Sequence, residues 1–263
     1  VIVRLFRVAG WAYVRRECLA LHFEHEVSLI AFDPLGSYDP TAPIAPSVLA
    51  KAIALRKSLP TAPYRSLSRL YLHWTLAPFG CTFADYNAEV DFEAGDWVMI
   101  VTHDPRDNAA GLTSGVGAAH TWRRNTGAVG VAIAGMTGAM QQHFGPAGVT
   151  PIGLDHLCAA AAAFASRYGI NALGMVEHGS THADNNGDLV NTTGEQSVLT
   201  HAECASIDGY LCGFTSDPDC RWDLGSLVAL PADMSLTKAM VWRCGDALRQ
   251  RVQAYTAALA GTS

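Results

Sequence analysis

Residues 153–170, GLDHLCAAAAAFASRYGI, constrain the fold of this chain more than any other stretch. Leu154, Leu157, Ala161, Phe164, Ala165 and Tyr168 recur at helical spacing and make one apolar stripe. Gly169 follows where a helix end favours a residue that tolerates left-handed backbone. The alanine run leaves the helix with little side-chain bulk, so its partner must approach closely, as a sheet can.

The segments around the helix supply that sheet. In SRLYLHW, Leu70 and Leu72 alternate with Tyr71 and His73, the period of a strand. DYNAEVDF reads as a second strand, EAGD as a turn and WVMIV as a third strand. Residues 127–135, GAVGVAIAG, form a small-residue buried strand with Val129, Val131 and Ile133 on one face. SVLTH, 197–201, ends another strand, and a last helix spans about 235–260 with Met240, Cys244, Leu248 and Val252 in period. Short strands alternating with a few helices predict an α/β fold, a mixed central sheet flanked by helices. Residues 1–66 carry no motif. Within them, PLGSYDPTAPIAP is turn-rich, and Ser47 caps a short helix with Leu49, Ile53 and Leu59 on one face.

Hydrophobic residues are 49% of the chain and charged residues 16%, which excludes a disordered polymer. The net charge of −6 argues against nucleic acid or another polyanion as a partner recruited by bulk charge. The absence of a long uncharged apolar run predicts no stable membrane insertion. The opening run, interrupted by Arg4, Arg7, Arg15 and Arg16, reads as an amphipathic extension packed on the domain rather than a signal peptide. Seven scattered cysteines with no CxxC pair exclude a complete disulfide framework and give no zinc ribbon. They read as buried thiols, with one bridge among Cys204, Cys212 and Cys220 left open for an exported protein.

Two of the ten histidines sit where α/β folds assemble sites. His73 lies near the end of one apolar strand and His201 just after another. His22, His25, His103, His143 and His156 lie in contexts that ask for no special role. DPDCRWDLGSL concentrates Asp217, Asp219, Asp223 and Arg221 around Trp222. It reads either as a solvated loop anchored by the tryptophan or as the source of a carboxylate completing a His, His, Asp metal site. Two imidazoles and one carboxylate leave a fourth position open, the pattern of catalytic zinc. In AAHTWRRNTGAVGVAIAGM, His120 and Asn125 precede the small-residue strand, as turn and core polar groups or as one wall of a groove.

Taken in order, LHWT, DYNAEVDFEAGDWVMI, AAHTWRRNTGAVGVAIAGM, RYGI, SVLTHAEC and RWDLGSL resemble the zinc-dependent N-acetylmuramoyl-L-alanine amidases, which include phage lysozyme-type amidases and peptidoglycan recognition proteins. The resemblance covers residues 67–227. It implies a catalytic domain over 67–227, an N-terminal extension over 1–66 and a helical segment over 228–263 packed on the domain. It also implies a zinc site at one edge of a groove for glycan-peptide. His73 and His201 match the histidine ligands, and Asp223 the third ligand, with Arg221 in the family's basic position two residues earlier. Asp217, followed by Pro218, is the rival, but it would put Thr215 where the cation belongs. Tyr86 matches the tyrosine near the zinc water. Asn87 stands where the family often has His, and the resemblance implies that Asn87, His120, Asn125 and Thr126 bind substrate in the groove.

The implied reaction is zinc-dependent hydrolysis of the amide between N-acetylmuramic acid and L-alanine. Zinc would bring the pKa of water from about 15.7 towards ~7, Tyr86 would orient that water and Arg221 would hold the oxyanion. Arg in place of the usual Lys can stabilise charge but not relay a proton. Peptidoglycan or muropeptides would be the partner and the cell wall the place of action, reached by a released lysin or an exported enzyme. The alternatives are a non-catalytic peptidoglycan-binding module of the same fold and a metal-dependent hydrolase of another amide. Two departures stand out. EHGSTHADNNGDLVNTTGEQ, with His178 and His182, reads as a long exposed loop beside the site, and 21 residues intervene between His201 and Asp223.

Overall fold

A computed structural model describes residues 32–61, 67–109, 117–122, 124–177 and 193–262. Most of the unit Val1–Asp33, with the amphipathic extension, Cys18, His22 and His25, lies outside the described residues, as do His178 and His182. The unit Pro34–Ser263 contains every described helix and strand.

The fold is α/β, with a mixed five-stranded sheet flanked by helices. The strands are β1 (Arg69–Trp74), β2 (Ala88–Glu93), β3 (Asp96–Val101), β4 (Ala128–Ile133) and β7 (Val198–Thr200), in the order β3-β2-β4-β1-β7. β2 pairs antiparallel with β3 across the Glu93–Asp96 turn. The other neighbours, β2–β4, β4–β1 and β1–β7, are parallel. β5 (Met175–Glu177) and β6 (Thr193–Gln196) make a separate two-stranded ribbon.

The register sorts the side chains onto two faces, because cross-strand partners point the same way. Leu70, Leu72 and Trp74 of β1 lie beside Val129, Val131 and Ile133 of β4, and Ala88 and Val90 of β2 continue that apolar face. On the other face, Tyr71 and His73 lie beside Gly130 and Ala132. A polar face on a buried sheet is where a site has to be sought.

The apolar face is covered by α3 (Pro151–Tyr168), with Thr150 as N-cap and Gly169 closing it in left-handed backbone. The stripe expected for this helix widens into burial all round: every residue from Leu157 to Ala165 is buried. The reason is that α1 (Pro46–Ser58) and α5 (Lys238–Ala260) also pack on it, so alanine is needed on several sides at once. α1 begins at Pro46 after Ala45, not at Ser47, and buries Val48, Ala52 and Leu55 instead of the Leu49–Ile53 face. Two helices are not anticipated by the sequence patterns: α2 (Pro105–Ala109) and α4 (His201–Asp208).

The described cysteines resolve into one bridge, Cys212–Cys220, with Cys158, Cys204 and Cys244 buried as thiols and Cys81 half-buried. No described helix is long and apolar enough to cross a membrane.

Candidate metal centre

His73 is the fifth residue of β1, and His201 is the first residue of α4, directly after β7. Both therefore sit at the carboxyl end of parallel strands that are hydrogen-bonded neighbours. A capping box fixes His201: the Thr200 hydroxyl accepts from the Glu203 amide, and the Glu203 carboxylate accepts from the Thr200 amide at 2.8 Å. Glu203 is in turn held by Arg249 of α5 at 2.8 and 2.9 Å. α5 approaches this closely because Gly245 has no Cβ; one there would stand 2.1 Å from the Glu203 carboxyl.

Asp223 reaches the histidines from the long loop after α4. Its carbonyl accepts from the Ala202 amide at 3.1 Å, and the preceding Trp222 packs edge-on against Trp74 with ring centres 4.6 Å apart. The tryptophan does anchor the loop, and Asp223 itself is delivered inward. Leu224 then takes left-handed backbone at φ 61°, a conformation that costs a branched residue roughly 1–2 kcal/mol and that burial of its side chain sustains.

The three ligand-type atoms converge. His73 Nδ1 lies 3.1 Å from His201 Nδ1, His201 Nδ1 lies 3.3 Å from Asp223 Oδ2, and His73 Nδ1 lies 3.8 Å from the same oxygen. Metal–ligand bonds of about 2.0–2.1 Å at tetrahedral angles put ligand atoms about 3.3 Å apart. The observed spacings bracket that figure, so this buried His-His-Asp cluster can hold a metal ion. Burial keeps His73 neutral, lowering its pKa to about 4. Burial alone would raise the Asp223 carboxyl, but the two imidazoles beside it bring it well below the usual carboxylate range. A neutral imidazole and an ionised carboxylate are the forms that ligate. Two ring nitrogens and a carboxylate oxygen this close also repel, a repulsion that a shared proton or a bound cation relieves.

The other ring nitrogen of His73 is committed. Thr121 Oγ1 lies 3.1 Å from His73 Nε2 and 2.9 Å from His120 Nδ1. With a metal on Nδ1, His73 donates from Nε2 to Thr121, and Thr121 donates to His120. His120 rests on Gly130, where a Cβ would stand 2.3 Å from the imidazole. The small residues of β4 thus make room for the group that backs His73. Spacing alone does not expose Thr121, since its role needs β1 and the 117–125 segment brought together.

A cavity of about 850 Å³ opens beside the cluster, lined by His201 and Asp223 together with Tyr86, His120, Asn125 and Arg221. The Tyr86 ring lies 5.2 Å from that of His73, its hydroxyl donates to the Trp74 carbonyl at 3.3 Å, and burial pushes its phenol up. Arg221 is half-buried, with Nη1 donating to the carbonyls of Asp219 and Cys220 at 2.5 and 3.0 Å. Its positive charge bears on both His73 and Tyr86. Asp217 stays on the exposed rim and accepts from the Asp219 amide, so the cluster contains Asp223 and not its rival.

Two residues expected to bind substrate do not reach the cavity. Asn87 is fully buried between β2 and β4, accepting from the Gly130 amide and donating to Asn108, which consumes its amide in holding the sheet. Thr126 contributes its carbonyl to the Arg69 guanidinium and is not among the lining residues.

No family model, curated protein or solved structure matches the chain.

Proposed function

We propose that the protein is a zinc-dependent N-acetylmuramoyl-L-alanine amidase, hydrolysing the amide between the lactyl group of N-acetylmuramic acid and L-alanine in peptidoglycan. The observation that carries this reading is the convergence of His73, His201 and Asp223, the last two on the wall of an open cavity. Two imidazoles and one carboxylate, with a side left open, are the donor set of catalytic rather than structural zinc.

His73, His201 and Asp223 would hold the zinc, which would supply Lewis acidity towards a carbonyl and lower the pKa of water. The chain's own side chains do the rest. Tyr86 keeps its proton at neutral pH, since burial raises its phenol further, and so orients water or the amide instead of removing a proton. Arg221 lends a permanent positive charge on the cavity wall to the carbonyl oxygen as negative charge develops, an effect of about 3–4 kcal/mol in comparable sites. Thr121 and His120 hold the His73 ring in the tautomer that ligates. The partner in this reading is a muropeptide of the cell wall.

Digestion of purified muropeptides by the zinc-loaded protein tests it, with products weighed by mass spectrometry. Free stem peptide and an intact sugar should appear, disappear with a chelator and return with zinc. Binding without cleavage would favour the non-catalytic module, and cleavage at another amide would favour the wider hydrolase reading.

A further inference from the structure

We propose that Leu76 is a specificity-determining residue of the cavity, its side chain covering a methyl group beside the scissile amide of the substrate. The inference rests on the proposed amidase reaction and names the residue that reads the aliphatic part of its substrate.

Among the described residues, four other than glycine hold left-handed backbone: Leu76 at φ 56°, Ala94 at φ 50°, Met136 at φ 67° and Leu224 at φ 61°. That conformation brings Cβ against the following carbonyl, so each of the four needs a compensation. Met136 and Leu224 are fully buried, and burial of their side chains supplies it. Ala94 carries a single side-chain carbon in the tight turn between β2 and β3, where left-handed backbone matches the twist of the strands. Leu76 has neither compensation. Its side chain is large, and 51% of its surface is exposed. An exposed leucine alone asks for no explanation, but one held in disfavoured backbone does.

The neighbouring chain fixes the backbone at residue 76. The Thr75 amide donates to the Ile133 carbonyl at 3.0 Å, and the Thr75 hydroxyl accepts from the amides of Ala77 and Gly135, both at 3.3 Å. Ala77 is buried and bridged to Gly135 and Met136. Glycine or asparagine would adopt the backbone between these anchors with less strain. A half-exposed leucine returns little to the fold. In the cavity, which Leu76 lines together with His201 and Asp223, it is an apolar contact already held in place. Trp74, two residues earlier, accepts the Tyr86 hydroxyl at 3.3 Å, so Leu76 belongs to the stretch of wall that carries Tyr86. In the proposed substrate, the apolar groups nearest the scissile amide are two methyls, one on the lactyl group and one on L-alanine. A leucine can distinguish either from hydrogen by contact alone.

Three synthetic muropeptides test this with the zinc-loaded protein: the full substrate, one with glycine in place of L-alanine, and one with a glycolyl in place of the lactyl group. Wild type should prefer the full substrate to one of the analogues by about tenfold in kcat/KM, and that analogue identifies the methyl. Leu76→Gly and Leu76→Asn should lose this preference, with the rate falling on the full substrate and unchanged on that analogue. Both variants should melt at or above the wild-type temperature, because they relieve the backbone. A fold-supporting leucine would give the opposite sign in melting and an equal loss on all three substrates. Wild type without a preference, a preference that survives in the variants, or variants that melt below wild type overturn the contact. Release of stem peptide without a preference overturns the contact alone, whereas no release from any of the three substrates overturns the amidase reading and the contact with it.

Discussion

His73 Nδ1 and His201 Nδ1 stand 3.1 Å apart although 128 positions separate them in the chain. The parallel pairing of β1 with β7 produces this, placing Leu72 opposite Thr200 and so the two histidines at neighbouring strand ends. Asp223 joins them from a loop fixed by a wedged tryptophan and by the main-chain bond to Ala202.

Asp223→Ala removes the only carboxylate of the cluster and is expected to abolish stoichiometric metal binding and hydrolysis together. Asp217→Ala, on the exposed rim, should keep its metal. Elemental analysis of the two purified variants reads the difference. Metal retained by the first and lost by the second would reverse the ligand assignment.

Gly130→Ala is expected to act at a distance from the metal. The new methyl would collide with His120, and displacing that ring disturbs Thr121 and, through it, His73. Overpacking should cost about 1–3 kcal/mol. Loss of the hydrogen bond behind a ligand should weaken metal affinity about 10–100-fold. Thermal melting and competitive metal titration measure the two effects; metal affinity at the wild-type level would mean that the contact behind His73 is dispensable.

Arg124→Ala should be among the most destabilising substitutions, because it removes the guanidinium bonded to the carboxylates of Glu195 and Asp208, whose side chains are 7% and 4% exposed. Breaking one side of a buried ion pair costs about 3–5 kcal/mol. Urea denaturation should show that loss.

Glu89 predicts a pH dependence. Burial pushes its carboxyl up to about 7, against the Phe83 amide that pulls it down, and Oε2 is buried with no hydrogen-bond partner among the described residues. A carboxyl whose folded pKa is raised contributes stability that is fully present below its unfolded value of about 4.3 and is lost as the pH rises through about 7. Glu89→Gln, which still accepts from Phe83 but cannot ionise, should flatten the decline in stability between pH 5 and pH 8. Parallel denaturation profiles for the two proteins would contradict this.

Much of the fold is legible along the chain because period and composition report burial directly. Alternation in Leu70–His73 marks β1, and the alanine run marks α3. What the sequence conceals is whatever depends on third parties. Burial of α3 on several sides, and the true inner face of α1, follow from how α1, α3 and α5 pack together, which no single periodicity encodes. α4 is a different case: Thr200-His201-Ala202-Glu203 is a capping-box pattern and announces a helix start, but the strand pattern of SVLTH masks it. At the site, His73, His201 and Asp223 are residues whose chemistry suggests their role. Asn87 is also polar, yet its position between β2 and β4 turns it inward, and Thr121 is ordinary until two histidines flank it.

The central claim is that one zinc ion is bound by His73, His201 and Asp223. X-ray absorption at the zinc edge of the purified, zinc-loaded protein tests this most directly. One zinc per chain with only nitrogen and oxygen neighbours at about 2.0–2.2 Å, including two imidazoles, is the predicted result. Sulfur neighbours at about 2.3 Å, or two imidazoles still present in His73→Ala, would place the metal elsewhere and contradict it.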